Sequence, residues 1–81
     1  LKQLNLAGNS LSSLPSQMGN LVQLEKLNLL GNQLTDLPAD LGKLSALKDL
    51  NLSGNSLISL PKQLGSLSKL ESLLARNNKL T

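Results

Sequence analysis

The sequence lacks most of the residue types that perform catalysis. Its 81 residues include no His, no Cys and no Tyr, so a Ser or Thr nucleophile has no conventional general base. A Ser-Lys pair remains conceivable, but the serines read more simply as turn and surface residues. These serines are Ser12, Ser13, Ser16 and Ser59. Asp36 and Asp40 could pair as two acids, yet both are expected to face solvent. We predict no enzyme active site, no metal site and no cofactor.

The residues that do suggest a function recur with a period of 23 along the chain. Copies occupy residues 1–23, 24–46 and 47–69, and residues 70–81 begin a fourth copy. A repeat of this kind cannot bury its apolar face alone, so each copy is one structural unit stacked on its neighbours. We expect a single repeat segment over residues 1–81. We also expect it to belong to a longer array, because neither end has an atypical polar repeat.

The first half of each copy alternates between apolar and polar residues, which indicates a strand buried on one face. A long return path joins consecutive strands of the same direction, so the strands must lie parallel and in register. The residues between and beside the inward leucines then point outward. We predict that they form three columns on a partner-binding concave face: Gln3, Lys26, Asp49 and Ser72; Asn5, Asn28, Asn51 and Leu74; Ala7, Leu30, Ser53 and Arg76.

Two leucines in these columns, Leu30 and Leu74, fall outside the inward pattern, and Arg76 is nearby in sequence. An exposed apolar residue beside Arg has the composition of a binding hot spot. Single exposed leucines are also ordinary surface, so both interpretations stay open. The stack of Asn5 and its two equivalents is likewise either a polar contact strip or a ladder of side chains.

A second set of asparagines follows each strand, where the backbone turns away from the sheet. An Asn side chain both donates and accepts hydrogen bonds, so it can serve the turn of its own coil and of the neighbouring coil. We predict a structural ladder formed by Asn9, Asn32, Asn55 and Asn78. The residue before each of them is expected in a tight turn or a turn with positive φ, which Gly adopts most easily. These residues are Gly8, Gly31, Gly54 and Asn77.

The second half of each copy has apolar residues at spacings of three and four, which indicates a helical turn. Proline suits the first position of a helix, and we expect it there in each copy, at Pro15, Pro38 and Pro61. A glycine then either ends the turn or lets adjacent coils approach closely. In all, 25 apolar positions point inward and form one column between the strands and the return path.

The pattern Leu-x-x-Leu-x-Leu-x-x-Asn-x-Leu, followed by Leu-Pro-x-x-Leu-Gly-x-Leu, resembles the leucine-rich repeat over the whole chain. Its length and its Leu-Pro segment are similar to the class found in intracellular scaffolds. They depart from the plant receptor-kinase class, which has Gly-x-Ile-Pro. The resemblance implies an α/β solenoid, a right-handed superhelix with a parallel concave sheet and short helical or 3-10 turns on the convex side. It also implies that the concave face binds another protein.

Charge and composition argue against nucleic-acid binding and against a membrane-spanning segment. The net charge of +3 is spread without a run of like charge, which is typical of a solvated surface rather than a nucleic-acid footprint. The column Lys2, Glu25, Lys48 and Glu71 alternates in sign, so we expect its members to pair across neighbouring strands. The longest apolar run has three residues, far short of the ~18 that cross a membrane. The lack of cysteine favours a reducing compartment, and we expect a cytoplasmic protein.

The favoured function is therefore a protein-interaction module in intracellular signalling or assembly. Its partners would be another protein and further repeats or capping elements at both ends, with no role for nucleic acid or membrane. A second hypothesis is a regulatory or substrate-recognition segment of a larger enzyme, such as a kinase, GTPase or ubiquitin ligase. A third is an engineered or architectural spacer in which no face is specialised.

Overall fold

Four short parallel strands and three 3-10 helices alternate along residues 1–80. The computed structural model describes residues 1–80. The strands are β1 Gln3–Asn5, β2 Lys26–Asn28, β3 Asp49–Asn51 and β4 Ser72–Leu74. They form one sheet in sequence order, and residues at equivalent repeat positions pair across every strand boundary. The alternating pattern and the repeat period thus predicted both the sheet and its register correctly.

Each return path contains one five-residue 3-10 helix: η1 Ser16–Asn20, η2 Ala39–Lys43 and η3 Lys62–Ser66. The prediction of proline at the first helical position is wrong, because Pro15, Pro38 and Pro61 are N-caps with extended backbone. The ring still fixes a suitable φ, and each proline carbonyl accepts the N–H three residues later at 3.1 Å. Within residues 1–80 these turns are the longest helices, and none could cross a bilayer.

The core is a column of leucines between the sheet and the 3-10 helices. Met18 is the one non-leucine among its buried side chains and is 8% exposed. The largest fully buried side chains are Leu24, Leu27, Leu29, Leu34, Leu41, Leu44, Leu47, Leu50, Leu52 and Leu57. They come from the second and third copies of the repeat, which have a coil on each side, so burial depends on neighbouring coils.

Three of the predicted inward positions are exposed instead. Leu1 is 71% exposed, Leu73 is 41% exposed and Leu80 is 42% exposed. Leu73 has the same repeat position as Leu50, which is only 1% exposed. The difference arises because, within residues 1–80, no coil packs over the end positions. Periodicity therefore identifies which side chains face the core, but it overestimates burial at the two ends.

The predicted asparagine ladder is present and links successive coils. Asn32 is 6% exposed; its Nδ2 donates to the carbonyl oxygens of Leu6 and Leu29, and its Oδ1 accepts the N–H groups of Asn9 and Leu11. One and two coils later, Asn55 and Asn78 likewise donate to two coils, and their Oδ1 atoms accept the N–H groups of Leu34 and Leu57. Each side chain thus bonds its own turn and the turn of the preceding coil, which leaves no buried side-chain polar atom without a partner in residues 1–80.

Glycine has two separate roles in the stack. Gly8, Gly31 and Gly54 have φ near +70°, and Asn77, which replaces Gly in the fourth copy, has a φ of 56°. Gly19 and Gly42 instead allow close packing, because a Cβ on either would lie 2.6 Å from a carbonyl oxygen of the next 3-10 helix. Of the two roles open at the latter positions, close approach of coils is therefore the one observed.

Candidate functional site

The outward side of the sheet, which we call the strand face, holds a shallow groove of about 380 Å³. Eight of the twelve predicted partner-binding residues line it: Gln3, Asn5, Lys26, Asn28, Asp49, Asn51, Ser72 and Leu74. Strand register is what brings them together, since equivalent positions of successive copies lie side by side. Residues far apart in the sequence thus share one surface.

The central column of the groove is a row of three oriented asparagines. The Oδ1 atoms of Asn5, Asn28 and Asn51 each accept the backbone N–H two residues later, at 3.0, 3.0 and 3.1 Å. This local bond is the Asx-turn arrangement that Asn favours. The three Nδ2 groups have no hydrogen-bond acceptor among residues 1–80. The column is therefore a row of amide donors, and its side chains do not bond one another.

The column changes at β4, where Leu74 takes the place of asparagine. The N–H of Arg76, which an Asn at that position would bond, instead donates to the Oγ of Ser53 on the preceding coil at 3.1 Å. Ser53 is consequently buried at 8% exposure. The exposed position that alternation predicts for Ser53 is therefore not observed: its side chain satisfies a backbone group, and it does not line the groove. Sequence alternation alone could not reveal this compensation.

The other members of the third predicted column lie beyond the ends of the strands. Ala7 is half-buried, while Leu30 and Arg76 are exposed. None of them lines the groove. Leu30 is 42% exposed and Leu74 is 43% exposed, so both leucines singled out in the sequence present apolar surface to solvent.

The strand face carries a mixed charge pattern. Lys26 and Asp49 lie opposite each other on β2 and β3, with Nζ and Oδ2 4.0 Å apart. The other ion pair within 4.0 Å in residues 1–80 joins Asp40 and Lys43 on η2 at 3.1 Å. The pairs predicted in the column Lys2, Glu25, Lys48 and Glu71 do not form. Exposed ion pairs gain too little energy to hold long side chains in one geometry.

The groove also includes main chain that the sequence analysis did not assign to the site. Leu4, Leu27 and Leu50 line it, although the side chains of Leu27 and Leu50 are buried at 2% and 1% exposure. The strand backbone of these leucines therefore forms the floor. The alternating sequence pattern could have predicted this floor, because a residue whose side chain points inward exposes its backbone between the outward side chains.

The chemistry of the groove suits hydrogen bonding and apolar contact. Its side chains are amides, one hydroxyl, one ammonium, one carboxylate and one exposed leucine. No group of three His, Cys, Asp or Glu residues is placed to hold a metal ion in the part of the chain that the structure describes. The groove thus has the features of a recognition surface.

Comparison with known proteins identifies the repeat. The family model described as leucine rich repeat matches residues 23–80, and a model of two leucine rich repeats matches residues 1–43. A solved structure of a leucine-rich-repeat protein from Leptospira interrogans is 42% identical, with a TM-score of 0.97. The match covers 99% of this chain and 20% of that chain. No curated protein matches the chain significantly.

Members of this family generally mediate protein–protein interaction. The TM-score of 0.97 shows that this chain has the same fold as the matched part of that structure. The family model covers well over half of the chain, and the solved leucine-rich-repeat protein is 42% identical to it in sequence. The chain belongs to the leucine-rich repeat family.

Proposed function

We propose that the chain is a recognition module that binds a protein partner through its strand face. The observation that carries the proposal is the outward exposure of the two leucines outside the inward pattern: Leu74, 43% exposed, lines the groove, and Leu30, 42% exposed, lies just beyond the end of β2. Leucines in the strand half of such a repeat are expected to turn inward, so these two are candidates for contact with a partner. Arg76 adds a side chain that is common in binding hot spots.

The size of the strand face supports a partner that also contacts neighbouring repeats. The eight outward residues that line the groove offer only a few hundred Å², against about 800 Å² per partner in a standard interface. We propose that further repeats or capping elements cover both ends, where Leu1 and Leu80 are exposed. A role in intracellular signalling or assembly, in the cytoplasm, rests on the sequence resemblance and the lack of cysteine alone.

The proposal is tested by replacing the candidate contact residues together. The triple variant Leu30→Glu, Leu74→Glu and Arg76→Glu places carboxylates at three exposed positions and leaves the buried column intact. We expect it to lose the proteins that the wild-type chain captures from its native cell extract. A circular dichroism melt close to that of the wild type would establish that the fold is retained.

The matched control changes exposed aliphatic residues outside the groove. Val22 is 51% exposed and Ile58 is 57% exposed, and neither belongs to a strand. The variant Val22→Glu with Ile58→Glu should retain partner capture. Capture unchanged in the triple variant would exclude the strand face and favour a spacer role. Equal loss in both variants would indicate a general charge effect.

A further inference from the structure

The free donors of the central column define the chemistry of a partner. In Asn5, Asn28 and Asn51 the Oδ1 atom is already used by the backbone N–H two residues later. The orientation of each amide is thereby fixed, and its Nδ2 group is left to the groove that all three side chains line. Three donors of one kind, one strand apart, favour a ligand that presents hydrogen-bond acceptors in a row.

The side chains that line the groove carry no net charge, so the preference for acidic over neutral acceptors rests on the three amide donors and on Arg76 nearby. Asp49 is the one carboxylate that lines the groove, and Lys26 lies against it. Arg76 makes no ion pair within residues 1–80, and it follows Leu74 by two positions at the β4 end of the groove. The chain as a whole carries a charge of +3. A carboxylate that accepts an amide N–H forms a stronger hydrogen bond than a neutral carbonyl.

The width of the sheet sets the length of the ligand. Four strands at ~4.8 Å spacing span about 14 Å, which four to five extended residues cross at ~3.3 Å each. Along that path the column offers three amide donors and then the exposed side chain of Leu74. Side chains on one face of an extended peptide recur about every 6.6 Å, so a ligand that fits the whole column has acidic side chains at alternate positions, each within reach of the donors, followed by an aliphatic one that faces Leu74.

We propose that the strand face binds an acidic peptide segment of a partner protein. Its carboxylates accept the Nδ2 groups of Asn5, Asn28 and Asn51, and an aliphatic residue beyond them contacts Leu74. This inference rests on the function proposed above and specifies the chemistry of its partner.

The test is a titration of the ¹⁵N-labelled full chain, followed by nuclear magnetic resonance. The probe is the peptide acetyl-Glu-Glu-Glu-Glu-Leu-Leu-amide, and the matched peptide has Gln in place of Glu. We expect the Glu peptide to shift the side-chain amide signals of the three asparagines. It should bind at least about tenfold more tightly than the Gln peptide, because hydrogen bonds to charged groups contribute more than neutral ones.

The variant Asn28→Asp tests the contribution of one Nδ2 donor to binding. A carboxylate oxygen still accepts the N–H of Leu30, while the Nδ2 donor becomes an acceptor, so the fold should be kept. We expect at least about tenfold weaker binding of the Glu peptide, since a hydrogen bond to a charged group is replaced by repulsion. The control Asn20→Asp makes the same charge change at the exposed end of η1 and should change binding less than about twofold.

Three results would overturn the inference. They are equal binding of the Glu and Gln peptides, shifts confined to residues outside the groove, and equal weakening by Asn28→Asp and Asn20→Asp. The two proposals remain separable. If the Leu30, Leu74 and Arg76 variant loses its partner while Asn28→Asp retains it, the strand face binds protein but the asparagine donors take no part.

Discussion

At the scale of single residues, we expect the buried asparagines of the ladder to stabilise the fold more than Asn9, their exposed equivalent in the first coil. Asn55 bonds the N–H of Leu34 and the carbonyl oxygen of Leu29 on the preceding coil. The Nδ2 of Asn9 bonds two carbonyl oxygens of its own turn and is exposed. We expect Asn55→Ala to lower the free energy of unfolding by about 2 kcal/mol, because the buried N–H of Leu34 loses its partner and the carbonyl oxygen of Leu29 keeps only its bond to Asn32.

The control for this prediction is Asn9→Ala, which should lower the free energy of unfolding by less than about 1 kcal/mol, since water replaces its bonds. Urea unfolding followed by circular dichroism measures both changes. Equal losses in the two variants would show that the ladder stabilises each turn separately and does not link the coils.

At the scale of elements, the distance between stacked 3-10 helices is set by glycine. A Cβ on Gly42 in η2 would lie 2.6 Å from the carbonyl oxygen of Gln63 in η3, whereas a Cβ on Gly65 meets nothing within 4 Å. We expect Gly42→Ala to destabilise the chain by about 1 to 3 kcal/mol, because the helices must separate. Gly65→Ala should be neutral or stabilise by up to about 1 kcal/mol, because it restricts the unfolded chain.

Thermal melts of the two glycine variants distinguish these effects. A fall in Tm for both would contradict the packing explanation and point to a conformational need for glycine at this position. No change in either variant would mean that the helices shift apart without loss of stability.

At the scale of the whole molecule, stability should be greatest in the middle of the stack. Leu50 and Leu73 occupy the same strand position, but Leu50 is 1% exposed and Leu73 is 41% exposed. We expect Leu50→Ala to cost about 2 to 5 kcal/mol through the lost apolar contact and the cavity. Leu73→Ala should cost less than about 1 kcal/mol, because little contact is lost. Hydrogen exchange should likewise be slowest in β2 and β3.

Most of this architecture could be predicted from the sequence, because the same pattern of apolar and polar residues recurs in every copy of the repeat. Alternation around Leu27 and Leu50 fixes the sheet, and the repeat period fixes its register. The compensation between Ser53 and Arg76 could not be predicted, because it depends on a bond between coils that replaces a missing asparagine. Burial at Leu73 was also overestimated, because periodicity does not say which positions have a neighbouring coil.

The residues that line the groove could be predicted in part for the same reason. The outward columns follow from alternation and register, so the row that contains Asn28 could be listed in advance. The direction of each amide could not, because it depends on the choice of Oδ1 as the acceptor of the N–H of Leu30. That choice makes the row a set of donors.

The measurement that tests the central proposal most directly is site-specific photocrosslinking in the native cell. A photoreactive residue at Lys26 would lie in the groove, where the side chain is 58% exposed. The same residue at Lys62 would lie on η3, away from the strands. We predict that Lys26 gives a defined adduct with one partner protein and that Lys62 does not. An adduct formed from Lys62 alone, or equally from both positions, would contradict recognition through the strand face.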